Sequence, residues 1–122
     1  MINDYYTLSS QTALSETEFL FEVRLNASCA VYKGHFPGQP VAPGACQVQI
    51  IKECAERALQ RPVRLKQIKQ CKFLRTIIPA ETPSLDVHLL FSEPDILTAE
   101  VRSGETIYVK LKSKISNLKS QI

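Results

Sequence analysis

The sequence contains no tryptophan, one methionine and only four glycines among 122 residues. It has no internal repeat and no low-complexity tract, which excludes solenoid, collagen-like and disordered-linker architectures. No apolar run approaches the roughly 20 residues that span a bilayer, so membrane insertion by a helix is not expected. The segment Met1-Ile2-Asn3-Asp4-Tyr5 lacks the positive and apolar stretches of a secretory leader, and a cytoplasmic location is expected. There is no Cys-x-x-Cys pair and no Cys/His spacing that builds a zinc site, so neither a metal nor any other cofactor is expected. Aromatic residues are not interleaved with basic ones as in RNA-binding modules, which argues against a nucleic-acid partner.

What is present is the composition of a water-soluble globular chain, 44% apolar and 22% charged. The length suits one domain with a real core, and residues 1–122 read as a single domain. Cys29, Cys46, Cys54 and Cys71 are even in number, but a domain of this size without a leader does not need disulfides. Reduced thiols at small buried positions are the expectation. The net charge of +3 is modest, and its distribution is uneven. Arg57, Arg61, Arg64, Lys66, Lys69, Lys72 and Arg75 follow one another with no acid between them. Lys110, Lys112, Lys114 and Lys119 form a second cluster.

Periodicity supplies the elements. The residues after Tyr5 are poorly patterned until Phe19, Phe21, Val23 and Leu25 alternate with Leu20, Glu22 and Arg24 as in a half-buried strand. Between Lys33 and Gly44 lie three prolines and three glycines, which exclude regular structure and require a shaped loop. From Ala45 to Leu59 the apolar residues Ile50, Ile51, Cys54, Ala55, Ala58 and Leu59 fall at helical spacing, with Gln49, Lys52, Glu53, Glu56 and Gln60 on the other side. Pro62 ends that helix. A strand is expected over Val63 to Phe73, with its alternation slipping around Ile68 as at a bulge. Alternation around Leu85–Phe91, Leu97–Val101 and Ile107–Ile115, with a turn at Ser103-Gly104-Glu105, predicts three further strands. One long helix and several hairpin-linked strands imply an α+β fold in which an antiparallel sheet covers the helix.

The loop Gly34-His35-Phe36-Pro37-Gly38-Gln39-Pro40-Val41-Ala42-Pro43-Gly44 resembles the His-Phe-Pro-Gly-x-Pro-x-x-Pro-Gly signature of the hot-dog 3-hydroxyacyl-(acyl carrier protein) dehydratases of fatty-acid synthesis. Lys72-Phe73-Leu74-Arg75-Thr76-Ile77-Ile78-Pro79 is more weakly similar to that family's segment after the central strand. The resemblance implies a long central helix wrapped by a curved antiparallel sheet and a homodimer or larger homo-oligomer, with sites at the subunit interface. It also admits a heterodimer with a related hot-dog subunit.

Dehydration of a 3-hydroxyacyl thioester needs a base for the proton beside the carbonyl and an acid for the departing hydroxyl. It also needs a group to stabilise the thioester oxygen. His35 suits the base, because a histidine is largely neutral at pH 7 and Pro37 and Pro40 stiffen its loop. A histidine satisfied within a turn is the plain alternative. Gly44 opens the helix, where an unpartnered N–H could hold the thioester oxygen, or where glycine simply permits the turn. Phe36, Pro37, Gly38 and Pro43 would line the substrate.

The departure from the family lies fourteen residues after His35. Where the dehydratases carry Glu or Asp, this chain has Gln49, an amide that can orient a hydroxyl or water but cannot serve as a carboxylic acid. Three explanations compete. Glu53, one turn further along the helix, could substitute; the chain could bind or hydrolyse acyl thioesters; or a related subunit could bring the missing acid. Cys46 reads as a small buried residue, with an activated thiol as the alternative. Arg61, Arg64, Lys66, Lys69 and Lys72 could dock an acidic acyl carrier protein or a coenzyme A thioester, or could be the solvated face of a strand.

Overall fold

A computed structural model describes residues 5–29, 42, 44–92 and 95–116. They form β1 (Tyr6–Ala13), β2 (Glu18–Leu25), α1 (Gly44–Leu59), β3 (Leu65–Phe73), β4 (Ser84–Ser92), β5 (Ile96–Ser103) and β6 (Thr106–Ile115). The six strands make one antiparallel sheet in the order β1-β2-β4-β5-β6-β3, and α1 packs on one face of it. This is the α+β hot-dog architecture. No helix among the described residues is long and apolar enough to cross a membrane.

Strand β1 forms where the sequence before Phe19 shows no pattern. It pairs with β2 along its whole length, yet beyond Tyr6 its residues are largely exposed and polar. A strand at the sheet edge with little to bury carries no alternation to read. The tie to β2 is a short turn in which Leu14 N–H and Ser15 N–H both donate to the Glu18 carbonyl, at 2.8 and 3.1 Å. At the opposite edge β3 pairs with β6 through two register shifts, Leu65/Gln67 and Ile68/Gln70, so the slip around Ile68 is real. Buried Ser113 of β6 donates to the Gln67 carbonyl at 3.0 Å, anchoring the irregular stretch.

The helix follows its periodicity. Ile50, Ile51, Cys54 and Ala55 are buried in a single cluster with Phe21, Val23, Val87, Leu89, Leu97 and Leu111 from the sheet. Burying a side chain such as Ile51, which is 0% exposed, contributes about 1.5–3 kcal/mol. The helix stops at Leu59 because Gln60 takes a left-handed conformation, φ 57°, and Arg61 N–H donates back to the Glu56 carbonyl at 3.2 Å. That is the Schellman pattern, and Pro62 then prevents continuation. Cys29, Cys46, Cys54 and Cys71 are thiols, with no disulfide between them.

Candidate functional site

The helix start is the first landmark. Ala42 N–H donates to the Ile77 carbonyl at 2.8 Å, and the Ala42 carbonyl accepts Gln47 Nε2 at 3.0 Å. The Ala42–Ile77 bond thus ties the two segments that carry the family resemblance at this point, and Ala42 is held to the helix by Gln47, a buried glutamine that apolar periodicity gave no reason to single out. Gly44 faces the Phe73 ring so closely that a Cβ there would stand 2.9 Å from Phe73 Cζ. Its absent side chain lets the end of β3 pack over the helix N-terminus, and the first-turn N–H groups of α1 lie at the same place. His35, Phe36, Pro37, Gly38 and Pro43 lie outside the described residues. The other histidine, His88, sits on the outer face of β4, with its Nε2 2.6 Å from Glu18 Oε2.

The polar side of α1 forms the second landmark, a groove of about 580 Å³ lined by Gln49, Lys52, Glu53, Glu56, Arg57 and Arg61. All but Arg61, which follows the helix, come from positions that the helical repeat keeps away from the core. Gln49 Nε2 donates to Glu53 Oε2 at 2.9 Å. Glu53 Oε1 accepts the Tyr6 hydroxyl, and the Tyr6 oxygen accepts Arg57 Nη1 at 3.1 Å. Burial first, and the bond to Glu53 second, push the Tyr6 phenol well up. Tyr6 therefore keeps its proton and acts as donor to the carboxylate. The Arg57 guanidinium also lies 5.8 Å from the centre of the Tyr6 ring, within cation–π range. Glu56 takes Lys52 at 3.1 Å and the Val63 N–H at 3.0 Å, which ties the helix to the chain leaving it.

Gln49 thus stands in a groove, bonded to the glutamate one turn on. Tyr6 joins that network from β1 and has no counterpart in the sequence reading; it lies 47 residues from Glu53, beyond the reach of any local pattern. Cys46 is half-buried, and burial, with Cys29 nearby, pushes its thiol up. That is the direction of an inert thiol.

The basic residues divide. Arg61 lines the groove, with Nη1 buried and without a hydrogen-bond partner. Arg64 is exposed just before β3, its N–H donating to Ser116 Oγ at 3.1 Å. Lys66, Lys69 and Lys72 are exposed on β3. The pairing sets Lys72 directly opposite Lys110, while Lys112 and Lys114 stand opposite Gln70 and Gln67, so the two basic clusters of the sequence come together at the Lys72–Lys110 pair. Glu100 flanks Lys110 from β5, whereas Lys112 and Lys114 face Thr98 and Ile96.

Comparison with known proteins extends this geometry. A family model described as ApeI-like, ApeI dehydratase, matches residues 10–112. The 3-hydroxyacyl-[acyl-carrier-protein] dehydratase FabZ of Clostridium acetobutylicum is 24% identical over 68 residues, covering 49% of this chain and 48% of that protein. Its counterpart in Dinoroseobacter shibae is 28% identical over 72 residues, 52% of this chain and 44% of that protein. The match therefore spans about half the length of these curated relatives. Among solved structures, a chain of the dehydratase heterocomplex ApeI:P from Xenorhabdus doucetiae superposes with a TM-score of 0.77 at 20% identity, covering 91% of this chain and 97% of that one. An uncharacterized protein from Erwinia carotovora subsp. atroseptica gives 0.71 at 19% identity over 94% and 98%.

Proposed function

Since the chain belongs to the ApeI-like dehydratase family, we propose that it acts on 3-hydroxyacyl thioesters as a dehydratase subunit that depends on a related hot-dog subunit for its acid. It is a hot-dog dehydratase-like protein related to enzymes that process acyl chains. The observation that carries the finer reading is Gln49, an amide in a polar groove at the position where the resemblance calls for a carboxylic acid. Loss of a general acid costs on the order of 10² to 10⁴ in rate, so a site built from this chain alone is slow. In the reading proposed, His35 takes the proton beside the thioester carbonyl and the Gly44 N–H holds the carbonyl oxygen. Phe36, Pro37, Gly38 and Pro43 line the acyl chain. A partner supplies the proton to the departing hydroxyl.

Two further facts support an assembly. Strand β3 ends the sheet with only β6 beside it among the described residues, and Ile68, Phe73 and Leu74 are 47, 51 and 49% exposed. Large apolar side chains exposed together there are suited to burial against another chain. A similar fold is found in a complex described as a dehydratase heterocomplex. The lysines that meet across β3 and β6 would face an acidic carrier protein.

The test is turnover of carrier-linked and coenzyme A-linked 3-hydroxyacyl thioesters by the chain alone and mixed with a related hot-dog subunit carrying an intact acid. The expected outcome is weak or background turnover alone, a rise of at least about 10²-fold on mixing, and loss of that rise in His35→Ala. A second reading, hydrolysis of the thioester, is favoured by the same amide, because Gln49 can orient water. Free acid appearing without any enoyl product, with or without a partner, would replace the first reading by the second.

A further inference from the structure

The orientation of the Gln49 amide follows from its surroundings. A carboxylate only accepts hydrogen bonds, whereas a primary amide has a donating and an accepting end. The 2.9 Å bond from Gln49 to Glu53 therefore forms only with the NH₂ group toward the carboxylate. Glu53 is held for this by the Tyr6 hydroxyl on its other oxygen, and Tyr6 is in turn fixed by Arg57. Gln49 and Tyr6 both donate to Glu53, Arg57 donates to Tyr6, and the phenol that closes the set keeps its proton. What the side chain of Gln49 then keeps for a molecule in the groove is its carbonyl oxygen, an acceptor, beside the one N–H that Glu53 does not take. The opposite rotamer would offer two N–H groups and would favour a carbonyl on the ligand.

We propose that Glu53, braced by Tyr6, is a positioning residue that fixes the Gln49 amide with its acceptor toward the ligand, so that the site selects acyl thioesters bearing a hydroxyl donor over those bearing a ketone or no substituent. This rests on the acyl-thioester reading above. It assigns Glu53 a role through Gln49 and not as the acid that Gln49 replaces. No bond to substrate is made or broken by Glu53, and no proton leaves it.

The test is binding, which needs no turnover. Amide-linked pantetheine analogues of 3-hydroxyoctanoate, 3-oxooctanoate and octanoate are titrated by calorimetry into the chain, into Glu53→Gln and into Glu53→Asp, each first shown to melt cooperatively. A single well-placed hydrogen bond is worth about 1 kcal/mol, so the chain should bind the hydroxy analogue about fivefold more tightly than the other two. In Glu53→Gln the amide at 53 can present either end, Gln49 is free to turn, and the hydroxy-over-oxo preference should collapse to within about twofold while octanoate binding is unchanged. Glu53→Asp keeps an acceptor-only partner and should retain part of the preference. If Glu53→Gln keeps the full preference, or weakens all three analogues equally, Glu53 is merely structural and the inference fails while the thioester reading stands. If the unaltered chain binds none of the three, the thioester reading falls, and this inference with it.

Discussion

The two long faces of α1 are held by different physics. The face toward the sheet is a set of apolar side chains, Ile50, Ile51, Cys54 and Ala55, that need only be buried. The face toward the groove is a chain of directed bonds, Gln49 to Glu53, Tyr6 to Glu53 and Arg57 to Tyr6, in which each group constrains the next. The first is tolerant in detail and expensive to empty. The second contributes less to stability, because its members are partly exposed to water, yet it is specific in direction.

The heaviest blow to the apolar face is Ile51→Ala. Removal of a fully buried side chain should cost about 2–5 kcal/mol, read as a lowered urea midpoint at unchanged slope. A loss under about 1 kcal/mol would mean that this face is not the core it is described to be. The pH dependence of the same face comes next. Burial pushes the Cys54 thiol from its ordinary 9.0 up to about 12. The unfolded chain releases that proton near pH 9 while the folded chain keeps it. Between those values the native state binds more protons, and stability falls as pH rises, by up to about 1.4 kcal/mol per pH unit for one such group. Tyr5 and Tyr6, both raised by burial first, act in the same direction. Urea midpoints should be flat from this cause below pH 9 and should decline above it, and Cys54→Ala should make the decline shallower.

The polar face is sharpened by Gln49→Glu. The substitution removes the donor of the bond to Glu53 and sets two carboxyl groups one helical turn apart, where like charges repel. If the lost acid limits this protein, dehydration by the chain alone should rise at least about tenfold, with a new acidic group in its pH profile. Unchanged dehydration with Glu in place would show that the acid is not what limits it. The smallest effect is expected where the two faces meet. In Gly44→Ala the new methyl meets the far edge of the Phe73 ring, which is half-exposed and can swing away, so stability should change by less than about 1 kcal/mol. A larger loss would mark the helix N-terminus as rigid.

The same contrast explains what was legible in the sequence. Burial by periodicity could be read: the helix, its apolar side, the slip in β3 and the alternation of β4 to β6 all agree with the structure. Strand β1 could not, because an edge strand that exposes Ser9, Ser10, Gln11 and Thr12 has no apolar alternation. The loop motif pointed to the helix start and to Gln49 because spacing from a histidine is a linear property. Tyr6 escaped, since its bond to Glu53 is made across the fold, and nothing in a string of letters marks a tyrosine as the brace of a distant glutamate. Gln47 escaped for a related reason: a polar residue buried for one backbone carbonyl looks like any other glutamine on a helix.

The strand order has a consequence in time. During synthesis β1 and β2 can close their hairpin at once, and β4, β5 and β6 pair in succession as they emerge. Strand β3 leaves the ribosome before all three of these, yet its partner in the chain is the last of them, Phe73 waiting for Val109 and Leu65 for Ile115. At roughly 5–20 residues per second that wait lasts on the order of 2–10 s. Throughout it, a nascent strand that carries Ile68 and Cys71 is without β6, its neighbour among the described strands. Lys66, Lys69 and Lys72 are spaced along that strand, and charge of this kind is what keeps an unpaired strand from joining the wrong one. The lysines on β3 thus have work to do before any folded surface exists for them to decorate.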